Sequence, residues 1–385
     1  MRERVKEPLL RISRRESIPT WKAWGIRCIS LLLALAVCAG IIYALVKLNP
    51  LKVYAAMWNG AFGTEKRTWY TLRDLAMLLL IGVGLAPAFK MRFWNIGAEG
   101  QILVGGIATA AVMIYGGQNM PTWLMLLVMF AVSAAAGAVW GFIPAFFKAR
   151  WGTNETLFTL MMNYIAIQLT SFFVAKWENP YGSNSVGIIN RRTKNGWFPE
   201  LLGQQYTLNI LLVLVITVLM YLYLRYSKHG YEIAVVGESQ RTARYIGINV
   251  RKTIMRTMLL SGAVCGLSGF LAVAGASHTI STSTAGGRGF TAIIIAWLSK
   301  FNTFVMVLIS LLLVFLEKGS MQIASQFDLN DYASGMITGI ILFFILGSEF
   351  FINYKVIFRS NADETPESGT ERPARAAGNQ KEVQA

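Results

Sequence analysis

Residues 122–147 read TWLMLLVMFAVSAAAGAVWGFIPAFF, and none of their side chains carries a charge. A helix crosses the roughly 30 Å hydrocarbon core of a bilayer with about 20 apolar residues, because each residue adds about 1.5 Å. This stretch is long enough to do so. It therefore predicts a membrane-spanning helix, and several other stretches of the chain have the same character.

The composition of the whole chain agrees with this interpretation. Only 15% of the 385 residues are charged and 54% are hydrophobic, whereas about 25% of the residues in a typical soluble domain are charged. We predict an all-α integral membrane protein with about ten transmembrane helices. Their predicted limits are 27–46, 73–89, 97–116, 122–147, 155–175, 207–226, 256–275, 289–300, 302–318 and 332–353.

The eighth predicted span is unusual, because it is short and follows the sequence Gly286-Gly287-Arg288-Gly289. A short apolar stretch behind glycines is typical of a half-helix or a re-entrant segment, which a bilayer tolerates only where other helices cover it. Lys and Arg residues are concentrated in alternate connecting segments. By the positive-inside rule, this asymmetry places both termini in the cytoplasm.

The predicted organisation has three parts. Residues 1–26 form a basic cytoplasmic N-terminal segment, and residues 27–359 form the transmembrane domain, with a long cytoplasmic loop at 227–255. Residues 360–385 are polar and contain no aromatic side chain, which is typical of a disordered tail. We read the basic start and the apolar run that follows it as a retained first span, because the run is too long for a secretion signal.

Several classes of function are disfavoured. The net charge of +16 is explained by basic flanks of membrane spans, so we predict no nucleic-acid partner. The cysteines and histidines show no metal-ligand spacing, and the sequence contains neither a phosphate-binding loop nor a catalytic motif, so we predict no cofactor and no enzyme activity. No acidic residue lies in the middle of a predicted span. This argues against ion-coupled transport and for an energy source in another subunit.

Two polar motifs interrupt the apolar pattern. The first is Asn95-Ile-Gly-Ala-Glu-Gly-Gln101, between the second and third spans. It is either a glycine-broken helix end that forms a polar site or an ordinary turn with a helix cap. The second starts with Asn154, a helix cap, and continues to Thr159 and Asn163 inside the fifth span. Asn163 faces either a water-filled path or another helix with which it shares a hydrogen bond.

A third motif lies in the long cytoplasmic loop, between Gly237 and Asn249. It predicts a short helix that ends at Gly247 as its C-terminal cap. Arg241, Arg244 and Tyr245 are three and four residues apart and share one face of that helix. The helix is either suited to docking in a groove of a soluble partner or simply a basic surface helix.

Together these motifs resemble the membrane subunits of ATP-binding-cassette importers in the simple-sugar and nucleoside branch. The first motif resembles the Asn-Ile-Gly-x-Glu-Gly-Gln signature of nucleoside permeases, and 154–157 with 160–166 resemble the fifth-span signature. Residues 236–249 resemble the loop that contacts the ATPase, and Gly289 to Ile293 resembles the start of the short late span. Trp297-Leu298-Ser299-Lys300 and Glu238-Ser239-Gln240 depart from the family pattern.

The resemblance implies the transmembrane permease subunit of an ATP-driven importer for nucleosides or related nucleobase compounds, in the bacterial cell membrane. The implied partners are a cytoplasmic ATPase that binds the ATP, a second permease in a heterodimer, an extracytoplasmic substrate-binding lipoprotein and membrane lipid. The expected substrate-pathway residues are Asn95, Glu99, Gln101, Thr159 and Asn163. The expected ATPase-coupling residues are Gly237, Glu238, Arg241, Arg244, Tyr245 and Gly247. A sugar importer of the same fold remains an alternative, as does a carrier or channel that acts alone.

Overall fold

A computed structural model describes residues 10–14, 19–47, 49–117, 120–201 and 203–328, scattered positions between 336 and 352, and residues 354–358. The chain divides into two compact units. One unit comprises residues 1–35 and 343–385, and the other comprises residues 36–342. The predicted tail at 360–385 lies outside the described residues.

The described part of the chain is predominantly helical. Its α-helices, in chain order, are α1 Thr20–Val46, α2 Pro50–Phe62, α3 Glu65–Lys90, α4 Ala98–Gly116, α5 Thr122–Trp151, α6 Glu155–Lys176, α7 Thr207–Tyr226, α8 Lys228–Glu238, α9 Gln240–Tyr245, α10 Val250–Ala272, α11 Arg288–Leu298 and α12 Thr303–Gln326. A π-helical turn, Val273–Ser277, extends α10.

Side-chain caps explain where many of these helices begin. In each case the oxygen of a polar side chain just before the helix accepts a hydrogen bond from a backbone N–H of its first turn, which would otherwise be unpaired. The capping residues are Asn49, Thr64, Asn154, Ser227, Ser239, Asn249 and Asn302. The N-terminal cap predicted at Asn154 is therefore confirmed.

Seven of the described helices are long and apolar enough to cross a membrane. These are α3, α4, α5, α6, α7, α10 with its π-helical turn, and α12. The apolar part of α1 is shorter, and the predicted span 332–353 falls largely outside the described residues. Helix α11 has only 11 residues, about 16 Å of helix, so it is too short to cross a bilayer and agrees with the predicted half-helix.

Helix α10 packs against α3, α4 and α5 at the centre of the larger unit. Its glycines bring backbones into direct contact. A Cβ atom at Gly262 would overlap the carbonyl oxygen of Gly137 in α5, and one at Gly269 would overlap the carbonyl oxygen of Ile102 in α4. A Cβ atom at Gly105 of α4 would likewise overlap the carbonyl oxygen of Gly266. Small residues at such positions are what allow membrane helices to approach this closely.

The smaller unit contains a feature that the all-α prediction missed. Strand β1, Leu10–Arg14, pairs antiparallel with strand β2, Tyr354–Phe358, so that Leu10 lies opposite Phe358. Apolar and polar residues alternate along β1 and over Tyr354 to Val356 of β2, which is typical of β structure. The prediction was wrong here because five-residue patterns are short and the first lies in a segment dominated by basic residues.

Candidate functional site

A buried turn joins α3 to α4, and it contains the first of the predicted motifs. This buried turn comprises residues 91–97, which are not helical between Phe93 and Ile96. The amide of Asn95 is fully buried and lies 3.4 Å from the Ser261 hydroxyl of α10. Non-helical backbone at Asn95 is therefore enclosed by protein, while Arg92 and Trp94 of the same turn are exposed.

Side chains of α6 hold the buried turn in place. Asn163 Oδ1 accepts a hydrogen bond from Gly100 N at 2.9 Å, and Asn163 Nδ2 donates one to Ile96 O at 2.9 Å. Thr159 Oγ1 accepts one from Ile96 N at 3.2 Å. Both amide atoms of Asn163 thus pair with backbone groups that would otherwise be unpaired, as low-dielectric surroundings require.

Asn95 and Gln101 complete this network from inside the turn. Asn95 Oδ1 accepts a hydrogen bond from Gly97 N at 3.0 Å, and the side chains of Asn95 and Gln101 pair with each other at 3.4 Å. Gln101 is almost fully buried. The predicted pathway residues therefore lie together, and in this conformation their polar atoms are largely engaged with one another and with the backbone.

Glu99 holds the half-helix α11. Its carboxylate accepts hydrogen bonds from Gly287 N at 2.7 Å and Gly289 N at 2.8 Å, at the first turn of α11. A negative charge is favourable there, because unpaired N–H groups and the helix dipole make a helix N-terminus partly positive. A Cβ atom on Gly289 would lie 2.7 Å from Glu99 Oε2, so only glycine admits this carboxylate.

An aromatic cluster links the other end of α11 to the buried turn. The rings of Trp297 and Trp94 stack with centroids 5.1 Å apart, and Phe89 packs edge-on against both rings. Trp297 belongs to a segment that departs from the family pattern, and here it supplies this contact. Both ends of the half-helix are thereby tied to the chain between residues 89 and 99.

A cluster of charged side chains lies beside the first turn of α11, and the sequence analysis missed it. Asp74 of α3 is 1% exposed. Its carboxylate lies 2.9 Å from Arg73 Nη2, 3.6 Å from Arg288 Nη2 and 2.6 Å from Lys318 Nζ. Helix α3 begins at Glu65, eight residues before the predicted span, so Asp74 lies within the helix and not at its edge.

A cavity of about 280 Å³ adjoins this charged cluster. It lies between α3, the end of α10 and the loop that leads into α11, and hydroxyl groups are prominent in its wall. Its lining residues are Arg73, Asp74, Met77, Ala272, Ala276, Ser277, Thr279, Ser281, Ser283, Thr284 and Arg288. Guanidinium and hydroxyl groups can donate several hydrogen bonds to a polar solute.

The predicted cytoplasmic helix corresponds to α9. It begins after the Ser239 cap and ends in a Schellman motif, in which Ile248 N donates to Ala243 O at 2.9 Å and Gly247 N donates to Arg244 O at 3.1 Å. Gly247 has a φ of 85°, so the prediction of a glycine cap there is confirmed. The three side chains predicted to share a face, Arg241, Arg244 and Tyr245, are all exposed.

An apolar cluster packs α8 and α9 onto the ends of the long helices. Its members are Ala88, Met91, Phe93, Ala145, Ile233, Val236, Ala243, Val250, Ile254 and Met258. At the end of α8, a Cβ atom on Gly237 would overlap the carbonyl oxygen of Lys90, so α8 touches the start of the buried turn directly. Glu238, the next residue, is exposed.

His229 adds a polar link between α8 and its neighbours. Its Nδ1 lies 3.0 Å from the Tyr223 hydroxyl of α7 and its Nε2 lies 3.2 Å from the Thr257 hydroxyl of α10. Burial lowers the pKa of His229 below its usual value, because removal from water disfavours the charged ring. The imidazole is therefore neutral at pH 7 and serves as a hydrogen-bonding bridge.

The hydrogen bonds of Asn163 lead to a prediction about stability. Asn163→Leu leaves Gly100 N and Ile96 O without partners, at a cost of about 1–3 kcal/mol for each buried group. We expect the midpoint of thermal unfolding of the purified protein to fall by about 5 °C or more, with lower uptake. Gln168→Leu is the control, because it also replaces a side-chain amide with leucine, at an exposed position of α6. Equal midpoints for both variants would contradict this role of Asn163.

The chain is similar to known transport proteins. A family model described as "Branched-chain amino acid transport system / permease component" matches residues 68–346. The guanosine ABC transporter permease protein NupP of Bacillus subtilis is 33% identical over 298 residues, which cover 77% of this chain and 85% of that protein.

Two further relatives extend this comparison. The glucose ABC transporter permease protein TsgB13 of Haloferax volcanii is 27% identical over 379 residues, which cover 95% of this chain and 99% of that protein. The nucleoside ABC transporter permease protein NupB of Lactococcus lactis is 27% identical over 307 residues, which cover 77% of this chain and 84% of that protein.

Proposed function

The chain belongs to the family of branched-chain amino acid transport system permease components, and from this premise we propose that it carries nucleosides or related nucleobase compounds across the membrane by alternating access. It is the permease subunit of an ABC importer and a multi-pass protein of the cell membrane. It is not the enzyme of the system, since ATP hydrolysis belongs to a separate subunit.

The names of two relatives favour a nucleoside substrate. NupP is named for guanosine and NupB for nucleosides, and NupP is 33% identical to this chain. A sugar is the second candidate, because TsgB13 is named for glucose and matches 95% of this chain. The hydroxyl-lined cavity beside α11 suits either class, since nucleosides and sugars both carry several hydroxyl groups.

The permease works with an ATPase and a second permease, and solute passes between the two permeases. The ATPase binds the ATP, this chain needs no cofactor, and a lipoprotein outside the membrane delivers the solute. Ten spans with both termini in the cytoplasm complete the arrangement. The distribution of Lys and Arg supports it. The pairing of β1 with β2 also supports it, because it brings residues near both ends of the chain together.

The observation that carries the proposal is the exposed basic face of α9. Tyr245 is 93% exposed, while Ala243 on the same short helix is fully buried in the apolar cluster. A partner that pushed on this face would therefore push on the ends of α3, α5 and α10, which share that cluster. ATP-driven movement of the ATPase would enter the permease here.

A continuous series of contacts leads from α9 to α11. Helix α8 touches the Lys90 carbonyl through Gly237, the buried turn begins at Met91, and Glu99 after that turn holds the first turn of α11. In this arrangement Asn95, Gln101, Thr159 and Asn163 keep the turn rigid, so that movement of α8 reaches α11 and the cavity beside it. For movement at α9 to reach the cavity, some element between them must have two alternative positions. We propose that α11 is this element.

Reconstituted uptake tests the proposal. The permease, its partner permease, the ATPase and the binding protein are placed in liposomes, and uptake of radiolabelled guanosine is measured with excess unlabelled glucose present. We expect uptake that requires ATP and is unaffected by glucose. Arg241→Glu with Arg244→Glu should reduce it about tenfold or more, because charge reversal at a complementary interface costs several kcal/mol.

The control reverses two other exposed basic residues, Arg251 and Lys252 in the first turn of α10. This double variant should keep most of the uptake, and both variants should insert into the membrane like the wild type. Inhibition by glucose would favour the sugar alternative. Uptake without ATP would favour a carrier that acts alone. Equal uptake by the two double variants would contradict the proposed role of α9 in coupling to the ATPase.

A further inference from the structure

A basic pocket lies on the side of the bundle that carries α8. Its volume is about 690 Å³, and it opens between α3, α7, α8 and the connection from α11 to α12. Its lining residues are Lys90, Tyr221, Leu224, Arg225, Gly230, Tyr231, Ala234, Lys300, Phe301, Asn302, Thr303 and Phe304. Three of these residues are cationic and none is acidic, so the pocket attracts an anion.

An apolar groove adjoins the basic pocket. Its volume is about 280 Å³, and it runs between α3, α7 and α12. Its lining residues are Leu75, Ala76, Leu79, Ile210, Val213, Leu214, Thr217, Val218, Tyr221, Thr303, Phe304 and Val307. Tyr221, Thr303 and Phe304 line both spaces, so the groove leads directly out of the basic pocket.

The helix ends place the basic pocket at a membrane boundary. Lys90 lies in the last turn of α3 and Arg225 in the last turn of α7, while Lys300 follows the end of α11. Arg225 donates a hydrogen bond to the Tyr221 hydroxyl, which directs it toward the residues that the two spaces share. The apolar groove extends from this boundary along the membrane-spanning parts of α3, α7 and α12.

A phospholipid with an anionic headgroup has the matching chemistry, since a phosphate needs cations and an acyl chain needs an apolar groove. Basic pockets between helices at the cytoplasmic boundary bind such headgroups in other membrane proteins. Each methylene group buried along the groove adds to the affinity. A free phosphate ion would use only the basic pocket, and a neutral lipid would use only the groove.

We propose that the basic pocket and the apolar groove together form a specific binding site for one anionic phospholipid, with the phosphate among Lys90, Arg225 and Lys300 and one acyl chain between α7 and α12. The site lies apart from the hydroxyl-lined cavity, and it does not depend on the transported substrate. Its occupancy would brace α7 against α12 next to α8.

Native mass spectrometry of the full-length chain in detergent tests this site. The chain is incubated with phosphatidylglycerol or with phosphatidylcholine that has the same acyl chains. We expect phosphatidylglycerol to be retained preferentially. Arg225→Gln should reduce its retention about fivefold, since each cation near an anionic headgroup has an effect of this size. Arg150→Gln, at an exposed position in the last turn of α5, is the control and should retain it.

A second pair of variants tests the groove separately. Val218 lines the groove and Val215 does not, although both belong to α7 and both are 47% exposed. Val218→Trp fills the groove and should reduce retention about tenfold by excluding several methylene groups, whereas Val215→Trp should not. Both variants are required to elute as monodisperse protein, so that misfolding is not mistaken for lost binding.

Three outcomes would overturn the proposal. Equal retention of the two lipids would mean that the headgroup charge is not recognised. Competition by inorganic phosphate as strong as that by phosphatidylglycerol would mean that the site binds a free anion. Loss of the lipid when the partner permease is added would mean that this face is a protein interface.

Discussion

Glu99→Gln is expected to reduce nucleoside uptake at least about tenfold while the amount of protein in the membrane stays near that of the wild type. The carboxylate accepts hydrogen bonds from Gly287 N and Gly289 N. An amide has one oxygen and an NH₂ group, so one of these N–H groups would face a donor. An unpaired buried N–H group costs about 1–3 kcal/mol, and 1.4 kcal/mol is a factor of ten in an equilibrium constant.

Glu155→Gln is the matched control for this experiment. Like Glu99 in α4, Glu155 lies in the first turn of its helix, α6. The Glu155 carboxylate forms an ion pair with Lys148 at 2.7 Å. That pair is partly exposed, so its loss should change uptake little. If the Glu99→Gln and Glu155→Gln variants showed equal uptake, the hydrogen bonds between Glu99 and the first turn of α11 would not be required for transport.

Asp74→Asn is expected to have the largest effect on stability. It would leave Arg73, Arg288 and Lys318 without their shared carboxylate. Breaking a buried ion pair from one side costs about 3–5 kcal/mol, and we expect about 3 kcal/mol because the three cationic side chains remain 18–27% exposed. Thermal unfolding of the purified protein, followed by the loss of monodisperse protein, measures this effect.

A second substitution makes the Asp74 prediction specific. Lys318→Met removes one of the cations, so the double variant should recover part of the stability that Asp74→Asn loses. Glu65→Gln, an exposed acid on the same helix, should unfold close to the wild type. A double variant that was less stable than Asp74→Asn alone would mean that charge compensation is not what Asp74 provides.

Much of the fold was predictable from the sequence, because apolar length alone decides whether a helix can cross a membrane. Residues 122–147 lie within α5, and the short span at 289–300 corresponds to α11. Helix α3 begins eight residues before the predicted span, because the apolar pattern marks the span and not the polar turns of helix that precede it. The sequence pattern gave no reason to single out Asp74, and only the folded structure shows that three cations surround it.

Part of the candidate site could be marked from the sequence, but its contacts and the charged cluster around Asp74 could not. Polar residues in an apolar context marked Asn95, Glu99 and Asn163 as unusual. The two hydrogen bonds between Glu99 and the start of α11 join residues that are 188 and 190 positions apart in the sequence. Local sequence patterns do not predict contacts between such distant residues. The stacking of Trp94 on Trp297 was hidden for the same reason.

The glycine contacts of α10 constrain how this permease can move. Where backbone touches backbone, as between Gly262 and Gly137 or Gly269 and Ile102, no side chain can change its rotamer to let the helices slide. Helices α4, α5 and α10 therefore pack as one rigid group. The movement that opens one side of the membrane and closes the other must be made by elements outside this group, and α11, whose first turn Glu99 of α4 holds by two hydrogen bonds, is our candidate for the moving element.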